Sequence, residues 1–89
     1  MRLLFAEDER SLSKAVVTIL ERNNYSVDAV YDGEEALAYW EAGNYDGMIL
    51  DIMMPKMDGL TVLRKIRERG SRIPILLLTA KSEVDDKVL

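Results

Sequence analysis

Four short runs typical of strands, three mainly apolar and the second alternating, are separated by longer amphipathic stretches and limit what this 89-residue chain can fold into. The runs occupy Arg2–Ala6, Tyr25–Tyr31, Tyr45–Leu50 and Pro74–Leu78. The first and last runs are apolar without strict alternation, which is typical of strands covered on both faces. Strands that alternate with helices pair in parallel through right-handed crossovers. The order therefore predicts a βαβαβαβα chain, an α/β fold with a doubly wound parallel sheet.

The stretch after the first run has the apolar spacing of one helix face. Positions i, i+3, i+4, i+7 and i+8 are occupied by Leu12, Ala15, Val16, Ile19 and Leu20. Such spacing predicts a helix that packs this face on the sheet. We expect the helix to end near Asn23 and Asn24.

The next helix is indicated by a capping box, in which Asp32 precedes Glu35 by three residues. The two carboxylates of such a box accept hydrogen bonds from amides that a helix N-terminus leaves without partners. We expect Gly43 to end this helix in a left-handed conformation. The predicted inner face consists of Ala36, Leu37 and Trp40.

A third helix is predicted after Asp58, which can cap its N-terminus, and it ends near Gly70. Its predicted inner face consists of Leu60, Leu63 and Ile66. A fourth helix is predicted to start at Ser82.

The composition excludes several classes of protein. The length allows one domain. With no cysteine and no histidine, the chain has no disulfide scaffold, no Cys-ligated zinc site and no Ser-His-Asp triad. A net charge of -4 argues against nucleic-acid binding by this segment. No apolar run is long enough for a signal peptide or a membrane span, so we expect a cytoplasmic location without membrane attachment.

Acidic residues and one hydroxyl follow three of the predicted strands. Glu7 and Asp8 follow the first strand, with Glu9 as a further candidate; Asp51 follows the third and Thr79 the fourth. Because the carboxyl ends of parallel strands share one edge of the sheet, these residues are expected to meet. Clustered carboxylates repel one another, and a set of oxygen ligands favours Mg²⁺ as the neutralising ion. Such a site also suits the binding of a phosphoryl group.

Each of these residues also has a simpler interpretation. Residues 7–9 could form a solvated loop beside the positive N-terminus of the first helix. Asp51 could be a turn residue, and Asp58 with Gly59 is most simply an N-cap and a turn. The joint placement of the acids and Thr79 on one edge favours the functional interpretation.

Three segments together resemble the receiver domain of two-component response regulators. They are Glu7–Asp8, Asp51–Gly59 and Thr79–Ala80, and the resemblance covers essentially the whole chain. The tail from Lys81 to Val88 is similar to the OmpR and PhoB subfamily of winged-helix transcription factors. The resemblance implies a flavodoxin-like sheet with strand order 2-1-3-4. It also implies that residues 1–89 are a receiver domain that stops before the fifth strand and the last helix of the family.

The resemblance also implies a function and its residues. Asp51 is expected to accept a phosphoryl group from a sensor histidine kinase. Glu7, Asp8, Asp51 and the backbone carbonyl of Met53 are expected to hold Mg²⁺, and Thr79 is expected to be the switch hydroxyl. Such a domain is not an enzyme beyond self-phosphorylation from small phosphodonors and autodephosphorylation. The parent protein is expected to be a DNA-binding transcriptional regulator.

The lysine that the family carries after its fifth strand is absent from the chain. The fourth strand would then be an apolar sheet edge, so we expect self-association or exchange of elements between copies. An alternative function is therefore an interaction module without phosphotransfer. A flavodoxin-like cofactor binder is a further rival, but Glu7, Asp8 and Glu9 would repel a phosphate where that class needs a phosphate-binding loop. No P-loop motif is present.

Overall fold

The computed structural model describes residues 1–78 as four strands and three helices. Thr79 and the helix predicted from Ser82 lie outside the described residues. The elements, in chain order, are β1 (Arg2–Ala6), α1 (Arg10–Arg22), β2 (Ser26–Val30), α2 (Gly33–Ala42), β3 (Gly47–Asp51), α3 (Gly59–Glu68) and β4 (Ile75–Leu78).

The four strands form one parallel sheet in the order β2-β1-β3-β4. This confirms the predicted α/β class and the flavodoxin-like strand order. In the register, Ala6 is the partner of both Val30 and Leu50, and Asp51 is the partner of Leu78. The carboxyl ends of all four strands therefore lie along one edge of the sheet.

The main core lies between the sheet and helices α2 and α3. Alternate side chains of a strand point to one face of a sheet, and here those of β1 and β3 join the two helices in one buried cluster. The fully buried members of this cluster are Leu4, Ala6, Ala36, Leu50, Val62 and Ile66. Phe5 is buried outside this cluster and points to the opposite face by alternation. Helix α1 contacts β1 and β2.

Helix α1 differs from its prediction in its buried face. It begins at Arg10, because the Glu9 carboxylate accepts hydrogen bonds from the amides of Ser11 and Leu12. Ser13 is buried, whereas Leu12 and Ile19 are 43% and 58% exposed. Ala15 is exposed as well, so the apolar stripe is wider than the part of the helix that meets the sheet, and the predicted inner face was wrong at three of its five positions.

The predicted inner face of α3 was wrong at Leu60, which is 49% exposed. The buried face instead consists of Gly59, Val62 and Ile66. The rotation follows from Gly59, where a Cβ atom would lie only 2.4 Å from the carbonyl oxygen of Asp51. This backbone contact turns the Gly59 side of the helix toward the sheet and turns Leu60 toward solvent.

The ends of the helices follow the sequence signals with one exception. Asn24 and Gly70 have positive φ angles after α1 and α3, as the predicted helix ends require. Gly43 ends α2 but is extended, with φ −113° and ψ −175°, so the predicted left-handed conformation was wrong. Its amide donates to Tyr39 O and the chain continues directly toward β3, which requires no reversal there.

Candidate functional site

Glu7, Asp8 and Asp51 form one carboxylate cluster at the carboxyl edge of the sheet. One oxygen atom from each side chain lies within 4.8 Å of the other two. The contact follows from the register, because β1 and β3 pair directly with Ala6 opposite Leu50. The residues that follow these positions are thereby neighbours. The prediction that acids from two distant segments meet is confirmed.

The cluster combines two buried carboxylates with one exposed carboxylate. Glu7 and Asp51 are each 2% exposed, and Asp8 is exposed to solvent. The pKa of Glu7 is raised to about 6, mainly by burial and also by the negative charge and side-chain hydrogen bond of Asp51 and the negative charge of Asp8; the hydrogen bond from the Glu9 amide lowers it. Ionisation of Glu7 is therefore disfavoured, and a cation between the carboxylates would offset the cost.

Local hydrogen bonds fix the orientation of both buried carboxylates. Glu7 Oε2 accepts a bond of 2.9 Å from the Glu9 amide. Asp51 Oδ1 accepts a bond of 3.2 Å from the Met53 amide. In each acid, one carboxylate oxygen thus accepts a hydrogen bond from the backbone amide two residues later. This bond limits the rotation of the side chain before any ligand binds.

Met53 and Asp8 line the same surface pocket. This pocket of about 420 Å³ is lined by Asp8, Ile52, Met53, Met54, Pro55 and Asp58. Asp8 of the carboxylate cluster and Met53 therefore border one concave region. The role of the Met53 carbonyl as a metal ligand stays a prediction.

The donor set fits Mg²⁺. All candidate ligand atoms are oxygens, and the chain has neither histidine nor cysteine to favour zinc. A few carboxylates with open positions for water are typical of magnesium sites in proteins. The three carboxylates lie close together, and a divalent cation between them would neutralise their negative charge.

The loop between β3 and α3 carries part of the site and is bonded at both ends. The Ile52 amide donates to Leu78 O at 3.0 Å, which joins the start of the loop to the end of β4. The Gly59 amide donates to Ile52 O at 2.8 Å. The loop from Ile52 to Asp58 is therefore closed on itself beside Asp51. Leu78 is the last described residue, so the role of Thr79 stays a prediction.

Two acids near the cluster have structural roles. Glu9 caps α1, so it does not extend the group of three carboxylates. Asp58 caps α3 by accepting the Thr61 amide at 2.7 Å, which confirms the simpler interpretation of this residue. This hydrogen bond lowers the pKa of Asp58.

Sequence reasoning missed two contacts at this edge. The guanidinium of Arg10 lies 3.6 Å from the centre of the Tyr31 ring, a cation–π contact. Lys56 Nζ lies 3.7 Å from Asp32 Oδ2. Both contacts join residues that follow different strands. The alignment of the strand ends was therefore the only feature of the sequence pattern that could have indicated that these residues lie close together. Spacing in the sequence alone could not select these partners.

No helix within residues 1–78 is both long enough and apolar enough to cross a membrane.

The chain matches one well-defined family model. The model of the response regulator receiver domain matches residues 3–89. The transcriptional regulatory protein DltR of Streptococcus agalactiae serotype III (strain NEM316) is 50% identical over 88 residues. This match covers 99% of the chain and 39% of DltR. The chain thus spans well under half the length of this relative.

Two solved structures share the fold. The response regulator TrrA from Thermotoga maritima, in complex with Mg²⁺-BeF, has a TM-score of 0.87 and 38% identity; the match covers 98% of this chain and 76% of the TrrA chain. The complex of histidine kinase ThkA with TrrA gives a TM-score of 0.84 at 41% identity, covering 91% of this chain and 70% of the matched chain.

Proposed function

The chain belongs to the response regulator receiver family, and we propose that Asp51 is the residue that accepts its phosphoryl group. The observation that carries this assignment is the buried Asp51 carboxylate at the end of β3, within 4.8 Å of oxygens of Glu7 and Asp8. A carboxylate is a competent covalent acceptor, and phosphoryl transfer depends mainly on positioning and charge neutralisation.

In the proposed reaction, an oxygen of Asp51 attacks the phosphorus atom of a phosphohistidine. A P–O bond forms, the P–N bond breaks, and its electron pair stays on the imidazole nitrogen. The Met53 amide holds the Asp51 carboxylate in one rotation, which reduces the ordering needed for in-line attack. Mg²⁺ held by Glu7, Asp8, Asp51 and the Met53 carbonyl would supply positive charge next to the phosphoryl oxygens.

The proposed phosphodonor is a sensor histidine kinase. Support comes from the relative TrrA, which forms a complex with the histidine kinase ThkA. Support also comes from helix α1, which begins directly after the carboxylate cluster and exposes Leu12 and Ile19. An apolar stripe on an exposed helix suits packing against a helix of a partner.

The remaining parts of the proposal concern the switch and the parent protein. Thr79 is proposed as the hydroxyl that binds the phosphoryl group and moves the segment after β4. The parent is proposed to be a cytoplasmic, DNA-binding transcriptional regulator, since DltR is a transcriptional regulatory protein. With a net charge of −4, this segment is proposed not to bind nucleic acid itself. Its activity is proposed to be signalling and not enzymatic turnover.

The acceptor assignment is tested by incubating the protein with Mg²⁺ and a small phosphodonor that contains a P–N bond. Intact-mass spectrometry then counts the phosphoryl groups bound by the wild type, Asp51→Asn and Asp58→Asn. Asp58 is a matched control, because it lines the pocket beside Asp8 and Met53 and asparagine is an equally good N-cap. We expect label on the wild type and on Asp58→Asn only. Equal label on the wild type and Asp51→Asn would refute the assignment.

One observation favours a second candidate function, an interaction module without phosphotransfer. Within residues 1–78, β4 pairs with β3 and ends the sheet, and Leu76 is 58% exposed. An apolar strand at a sheet edge is a site for pairing with another chain. The labelling experiment separates the two candidates, because a pure interaction module takes no label.

A further inference from the structure

The N-terminus of α2 contacts the loop that follows β3. A Cβ atom placed on Gly33 would lie 1.8 Å from the carbonyl oxygen of Met57 and 2.7 Å from its Cβ. The Gly33 amide also donates to Pro55 O at 3.5 Å. The close approach involves backbone, so a side chain at position 33 cannot be accommodated by a rotamer change. Either the helix or the loop would have to move.

The contact, and not the backbone conformation, requires glycine at position 33. Gly33 is the first residue of α2, and its φ angle is outside the left-handed region. Alanine is favoured over glycine in a helix. Propensity alone therefore predicts that alanine stabilises α2, whereas the contact with Met57 predicts displacement of the loop.

The loop is shaped for this contact. Lys56 has a φ angle of 70°, which is unusual for a residue with a side chain. The Met57 amide donates to Pro55 O at 2.7 Å, which makes a tight turn. The 3.7 Å ion pair between Lys56 and Asp32 adds a second link to the start of α2.

The other end of the same loop carries the candidate metal ligands. The Met53 amide is bonded to Asp51 Oδ1, and the Gly59 amide closes the loop on Ile52 O. Gly59 in turn lies against the Asp51 carbonyl. Since the loop is short and bonded at both ends, a displacement at Met57 changes the position of Met53 relative to Asp51.

We propose that Gly33 is a positioning residue for the magnesium site. It allows α2 to lie against Met57 and thereby sets the position of the loop that carries Met53. This inference rests on the proposed function, because it assigns Gly33 a role in the site of Asp51. The coupling is reciprocal: if the Gly33 contact favours metal binding, bound metal stabilises the contact to the same extent.

The first experiment compares Gly33→Ala with Gly43→Ala. Gly43 is a matched control at the other end of α2, where a Cβ atom would lie 2.7 Å from the Tyr45 ring and 3.1 Å from Tyr39 O, milder contacts than the 1.8 Å approach at Gly33. Calorimetric titration with Mg²⁺ gives the Kd of each protein. We expect Gly33→Ala to raise the Kd at least about tenfold, as changes behind metal ligands do. We expect Gly43→Ala to stay within about twofold of the wild type, since distant sites act independently.

The second experiment uses only the wild type, so it does not depend on how well the variant folds. Amide hydrogen exchange is measured with and without saturating Mg²⁺. We expect slower exchange at Gly33 and Met57 in Mg²⁺ and no change at Gly43, whose amide is bonded within the end of α2.

The outcomes separate this inference from the proposed function. A wild type that does not bind Mg²⁺ contradicts the proposed function itself. A wild type that binds Mg²⁺, with an unchanged Kd in folded Gly33→Ala, overturns only the role of Gly33. If circular dichroism shows that Gly33→Ala is unfolded, the exchange rates of the wild type decide. Exchange rates at Gly33 and Met57 that are the same with and without Mg²⁺ would overturn the role of Gly33.

Discussion

Glu7 directly follows β1 and Asp51 ends β3, two strands that pair although they are distant in sequence. The two carboxylates are buried and lie side by side at the edge of the sheet. The parallel register alone brings them together. Their proximity makes the metal-free site electrostatically unfavourable, and the first two predictions follow from that cost.

The stability of the metal-free protein should depend on pH through Glu7. Its pKa is about 6 in the folded protein against 4.5 in the unfolded chain, so the folded state binds more protons between these values. Stability contributed by this group therefore falls as pH rises from about 4.5 to about 6, by on the order of 1–2 kcal/mol. Urea unfolding in a chelator at several pH values measures this. Glu7→Gln should remove this pH dependence of stability and should be more stable than the wild type at neutral pH. Glu21→Gln, at an exposed position on α1, is the control and should keep the pH dependence of the wild type.

Mg²⁺ should stabilise the wild type against heat and should not stabilise Asp51→Asn. A ligand at about 100 times its Kd adds about 2.7 kcal/mol to the free energy of unfolding. Asp51→Asn removes one ligand charge and part of the repulsion, so it should be more stable than the wild type in a chelator and gain little from Mg²⁺. Thermal unfolding with and without Mg²⁺ measures both effects. An equal Mg²⁺ shift in Asp51→Asn and in the control Asp58→Asn would argue against a site at Asp51.

The buried face of α3 can be tested with two leucine-sized side chains. Ile66 is fully buried and Leu60 is half exposed. Ile66→Ala should lower the free energy of unfolding by about 2–5 kcal/mol, because it leaves a cavity. Leu60→Ala should change it by about 0.5 kcal/mol or less. Urea unfolding of both variants decides, and equal losses would mean that α3 is rotated from the described orientation.

A cluster at the opposite edge of the sheet should make stability sensitive to alkaline pH. The Tyr45 hydroxyl donates to Asp28 Oδ2 at 2.6 Å, and Arg2 pairs with the same oxygen at 2.9 Å. Burial and the bond to Asp28 raise the pKa of Tyr45 to about 12, above its ordinary value of 10.0. The folded state keeps this proton longer than the unfolded chain, so stability falls as pH rises from about 10 to about 12.

Tyr45→Phe should remove this alkaline loss. At neutral pH it should cost about 1 kcal/mol, a value reduced by the partial exposure of Asp28. Tyrosinate absorbance and urea unfolding measure the two effects. Tyr39→Phe, on exposed Tyr39, is the control and should keep most of the alkaline loss of stability. The same alkaline loss in Tyr45→Phe as in the wild type would contradict the assignment.

Self-association through β4 stays a prediction and can be tested at Leu76. Replacing an exposed apolar side chain of an edge strand with lysine disfavours pairing between chains. We expect the wild type to show a mass by light scattering that rises with concentration, and Leu76→Lys to show a smaller rise. Leu60→Lys, an equally apolar exposed position on α3, is the control. A concentration-independent monomer mass for the wild type would contradict the prediction.

The α/β class and the meeting of Glu7, Asp8 and Asp51 could be predicted because they depend on periodicity and on the shared edge of parallel strands. The strand order was implied only by the resemblance to the receiver family. The rotation of α3 could not, since Leu60 and Val62 are similar in hydropathy and only the backbone contact of Gly59 distinguishes their sides. The burial of Ser13 was hidden for a related reason: its small size, and not its polarity, suits the position. The contact of Gly33 with Met57 needs tertiary distances that no spacing in the sequence supplies.

The bond from the Ile52 amide to Leu78 O ties the strand that bears Asp51 to the strand that precedes Thr79. Because both atoms belong to the main chain, a side-chain replacement at either position leaves this hydrogen bond in place. The exception is proline at residue 52, which has no amide hydrogen to donate. A shift of the backbone beside Asp51, by contrast, still displaces the end of the neighbouring strand.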